Sequence, residues 1–239
     1  MARLPRSVVA GYPHLVIHRG LNGQDVFRDD ADRRAYIQAL AQAARDAGVA
    51  LHGYGLGRNE VRLLLTPATA SALSTMMQGI GRRYVRAYNL RHGCCGTPWE
   101  GRFRSTVIDA PEWFMRCLVH VEFGATAGDH EGEWGGVGEF PWSSARHHLG
   151  LRMDEWITEH ALFWALGNTP FEREAAYKRL LEHPPSSRLV DRLRSAALKG
   201  WALGSPEFAR AIAELTGRRH EPLARGRPTL KTRAAASLV

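Results

Sequence analysis

The alternation of apolar and polar positions divides the chain into short β-type runs and longer helical ones. His14-Leu-Val-Ile-His18 is alternating and β-branched and ends in the turn Arg19-Gly-Leu-Asn-Gly23, which predicts a first strand. Over residues 31–47, Tyr36, Ile37, Leu40 and Ala44 recur on one helical face, with Asp29 and Asp30 placed to cap the start and Gly48 to stop it. Strands at 49–56 and 61–66 flank the turn Gly57-Arg-Asn-Glu60 and read as a hairpin. Residues 70–92 form a long amphipathic helix on Leu73, Met76, Met77, Ile80, Tyr84, Val85 and Tyr88. Residues 106–109 predict a fourth strand, and Ala110-Pro111 opens a helix through Phe114, Leu118 and Val121. Six glycines in 124–138 predict a loop. Helices follow at 157–166, 171–181, 187–199 and 206–216.

This order predicts an α+β fold: a ferredoxin-like antiparallel sheet with helices on one side, then a small helical C-terminal region and a basic tail. The boundaries expected are 1–150, 151–216 and 217–239. No internal repeat is present.

Composition narrows the class. A chain of 239 residues that is 44% hydrophobic can bury its own core, which excludes a disordered or fibrous protein. No run reaches the roughly 18 to 20 apolar residues of a membrane span, and MARLPRSVV lacks the apolar core of a secretory signal, so a soluble cytoplasmic protein is expected. Cys94, Cys95 and Cys117 are odd in number and two are adjacent, which suits neither a disulfide framework nor a paired zinc motif. The net charge of +8 and pI of about 9.9 point to a polyanionic partner, nucleic acid first, with an inert basic surface as the alternative. Arg82, Arg83, Arg86 and Arg91 crowd the end of the long helix as either a phosphate-binding edge or a solvated face. The tail sets six basic residues, Arg225 and Arg227 among them, against the single acid Glu221.

Several stretches in one order resemble the REP-associated tyrosine transposases, a branch of the single-tyrosine HUH transposases. They are ARLPRSVVAGYPHLVIHRGLN, VFRDDADRRAY, GRRYVRAYNLRHG, TPWEGRFRS, PWSSARHH, ALFWALGNTPFEREAAY, GWALGSPEF, and the GRR and RGRP of the carboxyl end. The resemblance spans nearly the whole chain and implies cleavage of single-stranded DNA beside short hairpins. In that chemistry a cation held by a His-hydrophobic-His strand polarises the phosphate, and a helix-borne tyrosine attacks it. The matching strand here reads Asn59-Glu60-Val61-Arg62-Leu63, so both histidine positions are changed, and Arg62 offers no lone pair to a metal. The tyrosine position falls on His120, or on Val119 with a one-residue shift, and the Asn-Pro helix end is replaced by Gly124-Ala125.

The resemblance therefore implies a DNA-binding member with degenerate catalytic motifs and no cofactor. Backbone contacts are expected from Arg62, Arg82, Arg83, Arg86, Arg102 and Arg104, with Arg225 and Arg227 as a minor-groove hook or an ordinary basic tail. Trp99, Phe103 or Tyr88 either stack on unpaired bases or pack in the core. Two alternatives stay open. One is a residual nuclease using His120, with Mg²⁺ or Mn²⁺ held by Glu60, Glu122 or His52; the other is a decayed remnant or a scaffold for protein partners. Monomer and homodimer both remain open.

Overall fold

The computed structural model describes residues 7–125 and 136–219. Strands β1 (His14–Arg19), β2 (Val49–Leu56), β3 (Glu60–Pro67) and β4 (Arg104–Val107) form one antiparallel sheet in the order β2-β3-β1-β4. With a helix between β1 and β2 and another between β3 and β4, this is the ferredoxin-like order expected. β4 begins two residues earlier than its apolar run suggests. Ile108 donates its N–H to the Pro13 carbonyl just before β1 and forms a parallel bridge with Leu203, and Asp109 donates its N–H to the Leu203 carbonyl.

Helices α1 (Asp30–Ala47) and α2 (Ala72–His92) cover one face. The Asp29 carboxylate accepts the N–H groups of Ala31 and Asp32, and Gly48 ends α1 in the left-handed region at φ 66°. Tyr36, Leu40, Ile80 and Tyr84 pack against Val16, Val61, Leu63 and Leu65 of the sheet. Arg91 and His92, at the end of α2, grip Asp29 and Asp32 at the start of α1, so the two helices are clamped by charge as well as by packing.

The second face is covered too, which refines the expectation of helices on one side. Helix α3 (Ala110–Phe123) lies over β2 and β3, and α7 (Ser187–Lys199) lies over β4 and β1. Glycines make the close approach of α3 possible. A Cβ at Gly53 would run into Leu118 at 2.6 Å, and one at Gly55 would strike the Val121 carbonyl. Leu15, Leu64 and Ile108 supply the apolar floor on which Leu118, Cys117 and Leu193 rest. Helices α5 (Ala161–Trp164) and α6 (Pro170–Leu181) pack against α3, and α8 (Pro206–Thr216) lies beside Tyr12 through Phe208. The helix expected at 157–166 is thus one turn only, because the Thr158 N–H is used on β2, donating to the Leu51 carbonyl.

Both sheet edges are closed by segments outside the strands. On β2, Leu56 donates to the Trp142 carbonyl and Ser144 to the Tyr54 carbonyl; on β4, Leu203 donates to the Val107 carbonyl. These contacts occupy part of each edge that would otherwise be open to pairing with another chain. The first of these segments leads into α4 (Ala145–His148), and from there a buried polar cluster forms. Glu122 of α3, fully buried, accepts from the Ser144 hydroxyl at 2.5 Å and the Tyr177 hydroxyl at 2.6 Å and lies 2.6 Å from His148 Nδ1. It joins α3, α4 and α6. Among the described residues no helix is long and apolar enough to cross a membrane.

Candidate functional site

The period of two on β3 puts Glu60 and Arg62 on the face beneath α3, and the register sets them beside Arg19 and Ile17 of β1. Both Glu60 oxygens are engaged. Arg19 Nε donates to Oε2 at 2.6 Å and Arg62 Nε to Oε1 at 2.7 Å, with the carboxylate side chain 11% exposed. The Arg62 guanidinium fills the volume that a Cβ at Gly124 would occupy, next to the His120 carbonyl. A residue without a side chain at the end of α3 is what admits it.

His120 projects toward the same cluster. It is 2% exposed, and its Nε2 has no hydrogen-bond partner. Burial first, and the charge of Arg62 second, pull its pKa down to about 3, so the imidazole is neutral at physiological pH. Val119, the neighbouring register, is a buried member of the apolar cluster under α3. Of the two positions, His120 is the one within reach of the Arg62 charge.

These donors do not fit a divalent cation. Glu60 is neutralised by two guanidinium groups, and a cation placed there would face both. Among the described residues no three His, Cys, Asp or Glu side chains converge as ligands. The other candidates are committed elsewhere. His52 contacts the Thr158 carbonyl at 2.7 Å and the Thr66 hydroxyl at 2.8 Å, and Glu122 is enclosed in its own cluster. His52 is also held at about pKa 4, chiefly by burial.

Beside Glu60 opens a cleft of about 160 Å³ walled by Arg19, Asn59, Glu60, Glu100 and Arg194. Arg19, Glu100 and Arg194 were not singled out by the sequence pattern. Arg194 arrives from α7, and only the packing of that helix on β4 and β1 brings it to the sheet.

The expected DNA contacts separate into two groups. Arg82, Arg83, Arg86, Arg102 and Arg104 are exposed, although Arg83 is paired with Asp46 at 2.7 Å. Arg104 lies opposite Ile17, which lies opposite Arg62, so the two arginines share one cross-strand row. The aromatics, by contrast, are core residues, the second of the two roles left open for them. Trp99 is 3% exposed, stacks on His18 with centroids 4.1 Å apart and leans on Tyr36 and Tyr84. Phe103 and Tyr88 belong to the same buried cluster, and the Tyr88 hydroxyl accepts from Arg28 Nε. Their apolar area is worth more against α1 and α2 than in solvent. Arg225 and Arg227 lie outside the described residues.

No protein-family model and no curated protein sequence matches the chain. Among solved structures, a REP-associated tyrosine transposase bound to a REP hairpin superposes with a TM-score of 0.52 at 11% identity, over 67% of this chain and 92% of that one. The presumptive transposase of Deinococcus radiodurans R1 is 20% identical over 48% of this chain and 91% of that one, with a TM-score of 0.35. The second likeness is too low to carry an argument. The first establishes that the chain has the fold of a REP-associated tyrosine transposase.

Proposed function

We propose that the chain binds single-stranded or hairpin DNA and does not cut it. The observation that carries this reading is the closed ion cluster Arg19–Glu60–Arg62, with a neutral buried His120 against it, at the positions where the resemblance would put two metal ligands and a nucleophile. A guanidinium can hold a phosphate by charge and hydrogen bonds, but it cannot activate the leaving oxygen as a Lewis acid does. The His120 Nε2 has no hydrogen-bond partner through which to relay a proton. Arg82, Arg86, Arg102 and Arg104 supply exposed charge for the DNA backbone, and Arg19 and Arg194 line the cleft nearest the former catalytic positions. The solved transposase of the same fold was captured on a REP hairpin, which supports nucleic acid as the partner here. Such a protein acts in the cytoplasm and needs no cofactor.

The test uses the full chain with labelled hairpin and linear single strands and Mg²⁺ or Mn²⁺, read by gel shift and by denaturing gel. Salt-sensitive binding without cleavage is expected. Metal-dependent cleavage would assign the residual nuclease instead, with His120 the first residue to replace, and neither binding nor cleavage would leave a decayed scaffold. The variant Glu60→His, Arg62→His, His120→Tyr, run alongside, shows whether the binding surface persists when the three positions are changed.

A further inference from the structure

We propose that α6 is a self-association surface, on which a second copy of this chain packs across a two-fold axis with its own α6 antiparallel. Its inner stripe, Arg173, Tyr177 and Leu181, is buried in the second core. The adjoining stripe is not. It borders an open groove of about 680 Å³ between α6 and the 136–151 segment, with Leu149, Leu151 and Phe171 as its apolar walls and the edge of the buried Leu181 at one end. Phe171 is 81% exposed and Leu151 59%, and Met153, 82% exposed, lies two residues further along the chain. Large apolar side chains grouped in this way on a charged surface mark an interaction site.

The pattern of charge selects the occupant. Glu174 and Lys178 lie one turn apart on the groove side of α6, between Phe171 and Leu181. In an isologous antiparallel pair every contact occurs twice, so a matching face must be complementary to itself. The two-fold centre that sets Glu174 against the partner's Lys178 is also the one that brings Phe171 to the partner's Leu181. One helix thereby carries both the apolar knob and the groove end that receives it, with the ion pairs between. Glu139 and Glu182 add negative charge at the rim, which disfavours DNA as the occupant of this face. The patch is small, so a reversible dimer in the micromolar range is expected.

Sedimentation velocity on the full chain from about 1 to about 100 µM should show a concentration-dependent shift from monomer to dimer. Phe171→Asp should abolish it. Lys178→Glu and Glu174→Lys should each weaken association by about tenfold, and the double reversal should restore it, since opposed like charges are exchanged for pairs again. Far-UV circular dichroism verifies that each variant is folded. A monomer throughout the range, a dimer that survives Phe171→Asp, or single reversals that the double does not rescue would each overturn the proposal. A gel shift on Phe171→Asp keeps this result separate from the DNA reading, because the monomeric variant should still bind DNA.

Discussion

Replacing Glu122 tests whether the second face of the sheet is held by one buried carboxylate. Its side chain is fully enclosed, and its neighbours Ser144, His148 and Tyr177 are themselves buried. Glu122→Ala would leave the Tyr177 hydroxyl and the His148 ring without their acceptor; Ser144 keeps its contacts with the Tyr54 backbone. Hydrogen bonds to a charged group contribute about 1.5–3 kcal/mol each, and breaking a buried pair from one side costs about 3–5 kcal/mol. A loss near 4 kcal/mol is therefore expected, a large share of the roughly 5–15 kcal/mol typical of a domain. Glu122→Gln keeps the shape and one acceptor and should lose about half as much. Burial and the adjacent carboxylate push the Tyr177 hydroxyl well above the ordinary tyrosine range, so it remains a donor at every pH at which the protein is folded. Urea unfolding followed by circular dichroism measures each value, and a cycle of Glu122→Gln with Tyr177→Phe isolates their coupling. A loss under about 1 kcal/mol for Glu122→Ala, or strict additivity in the cycle, would refute the assignment.

Four further outcomes follow from the geometry. Gly55→Ala should destabilise by about 2–4 kcal/mol in the same urea assay, because the added methyl meets the rigid Val121 carbonyl rather than a side chain that can swing away. Gly124→Ala should evict the Arg62 guanidinium and expose it to solvent, which protection of that residue from an arginine-selective dicarbonyl reagent would report in the wild type and not in the variant. Arg82→Ala with Arg86→Ala should lower the slope of log affinity against log salt by about 0.7 per lost single-strand phosphate contact, whereas Trp99→Ala should act through stability alone. Finally, His14 and His52 are held at about 4 and His120 at about 3, each chiefly by burial. Their folded values lie below the unfolded one near 6.5. The stability they support is complete above that pH and is lost as pH falls from there to about 4 for His14 and His52 and to about 3 for His120, at roughly 1.4 kcal/mol per pH unit for each histidine inside its window. His120→Leu, close to histidine in volume, should flatten acid unfolding, and should add about 1 kcal/mol at neutral pH by removing an unmet buried nitrogen.

The elements that were legible in the sequence are those whose signal is local. α1 is bracketed by a cap and a glycine, α7 and α8 each begin after a serine whose hydroxyl caps the first turn, and the β2–β3 hairpin is framed by its own alternation. What escaped depends on contacts between distant segments. The pairing of Leu203 with Ile108 shifts the end of β4 back to Val107, and the pairing of Thr158 with Leu51 cuts a helix to one turn. The resemblance pointed to Glu60, Arg62 and His120, and the structure pairs Glu60 with Arg62 and sets His120 within reach of the Arg62 charge. The resemblance could not reveal Arg19 as the second guanidinium on Glu60, since that contact comes from strand register, nor Arg194, since that comes from helix packing. Trp99 and Phe103 show the converse: an aromatic among arginines reads as a base-stacking signal, but the buried area against α1 and α2 decides its place.

On the proposed reading Glu60, Arg62 and His120 stand at changed catalytic positions, and their mutual fit is what separates compensation from scattered loss. An arginine at 62 alone would bury a charge beneath α3; here Glu60 accepts its Nε and Gly124 vacates the space for its guanidinium. Glu60 alone would be an unpaired carboxylate, but Arg19 takes its other oxygen. A tyrosine at 120 would bring a large hydroxyl-bearing ring against this cluster, and the smaller imidazole, neutral under the influence of burial and Arg62, adds no charge to a site that already carries one excess positive group. Each residue satisfies a requirement created by another, so placing histidine at 60 or at 62, or tyrosine at 120, singly should destabilise the fold more than making all three changes together. A thermodynamic cycle through Arg62→His, Glu60→His and the double variant decides the point. A coupling of at least about 1 kcal/mol is expected from a compensated site, and independent, additive effects from positions that have merely drifted.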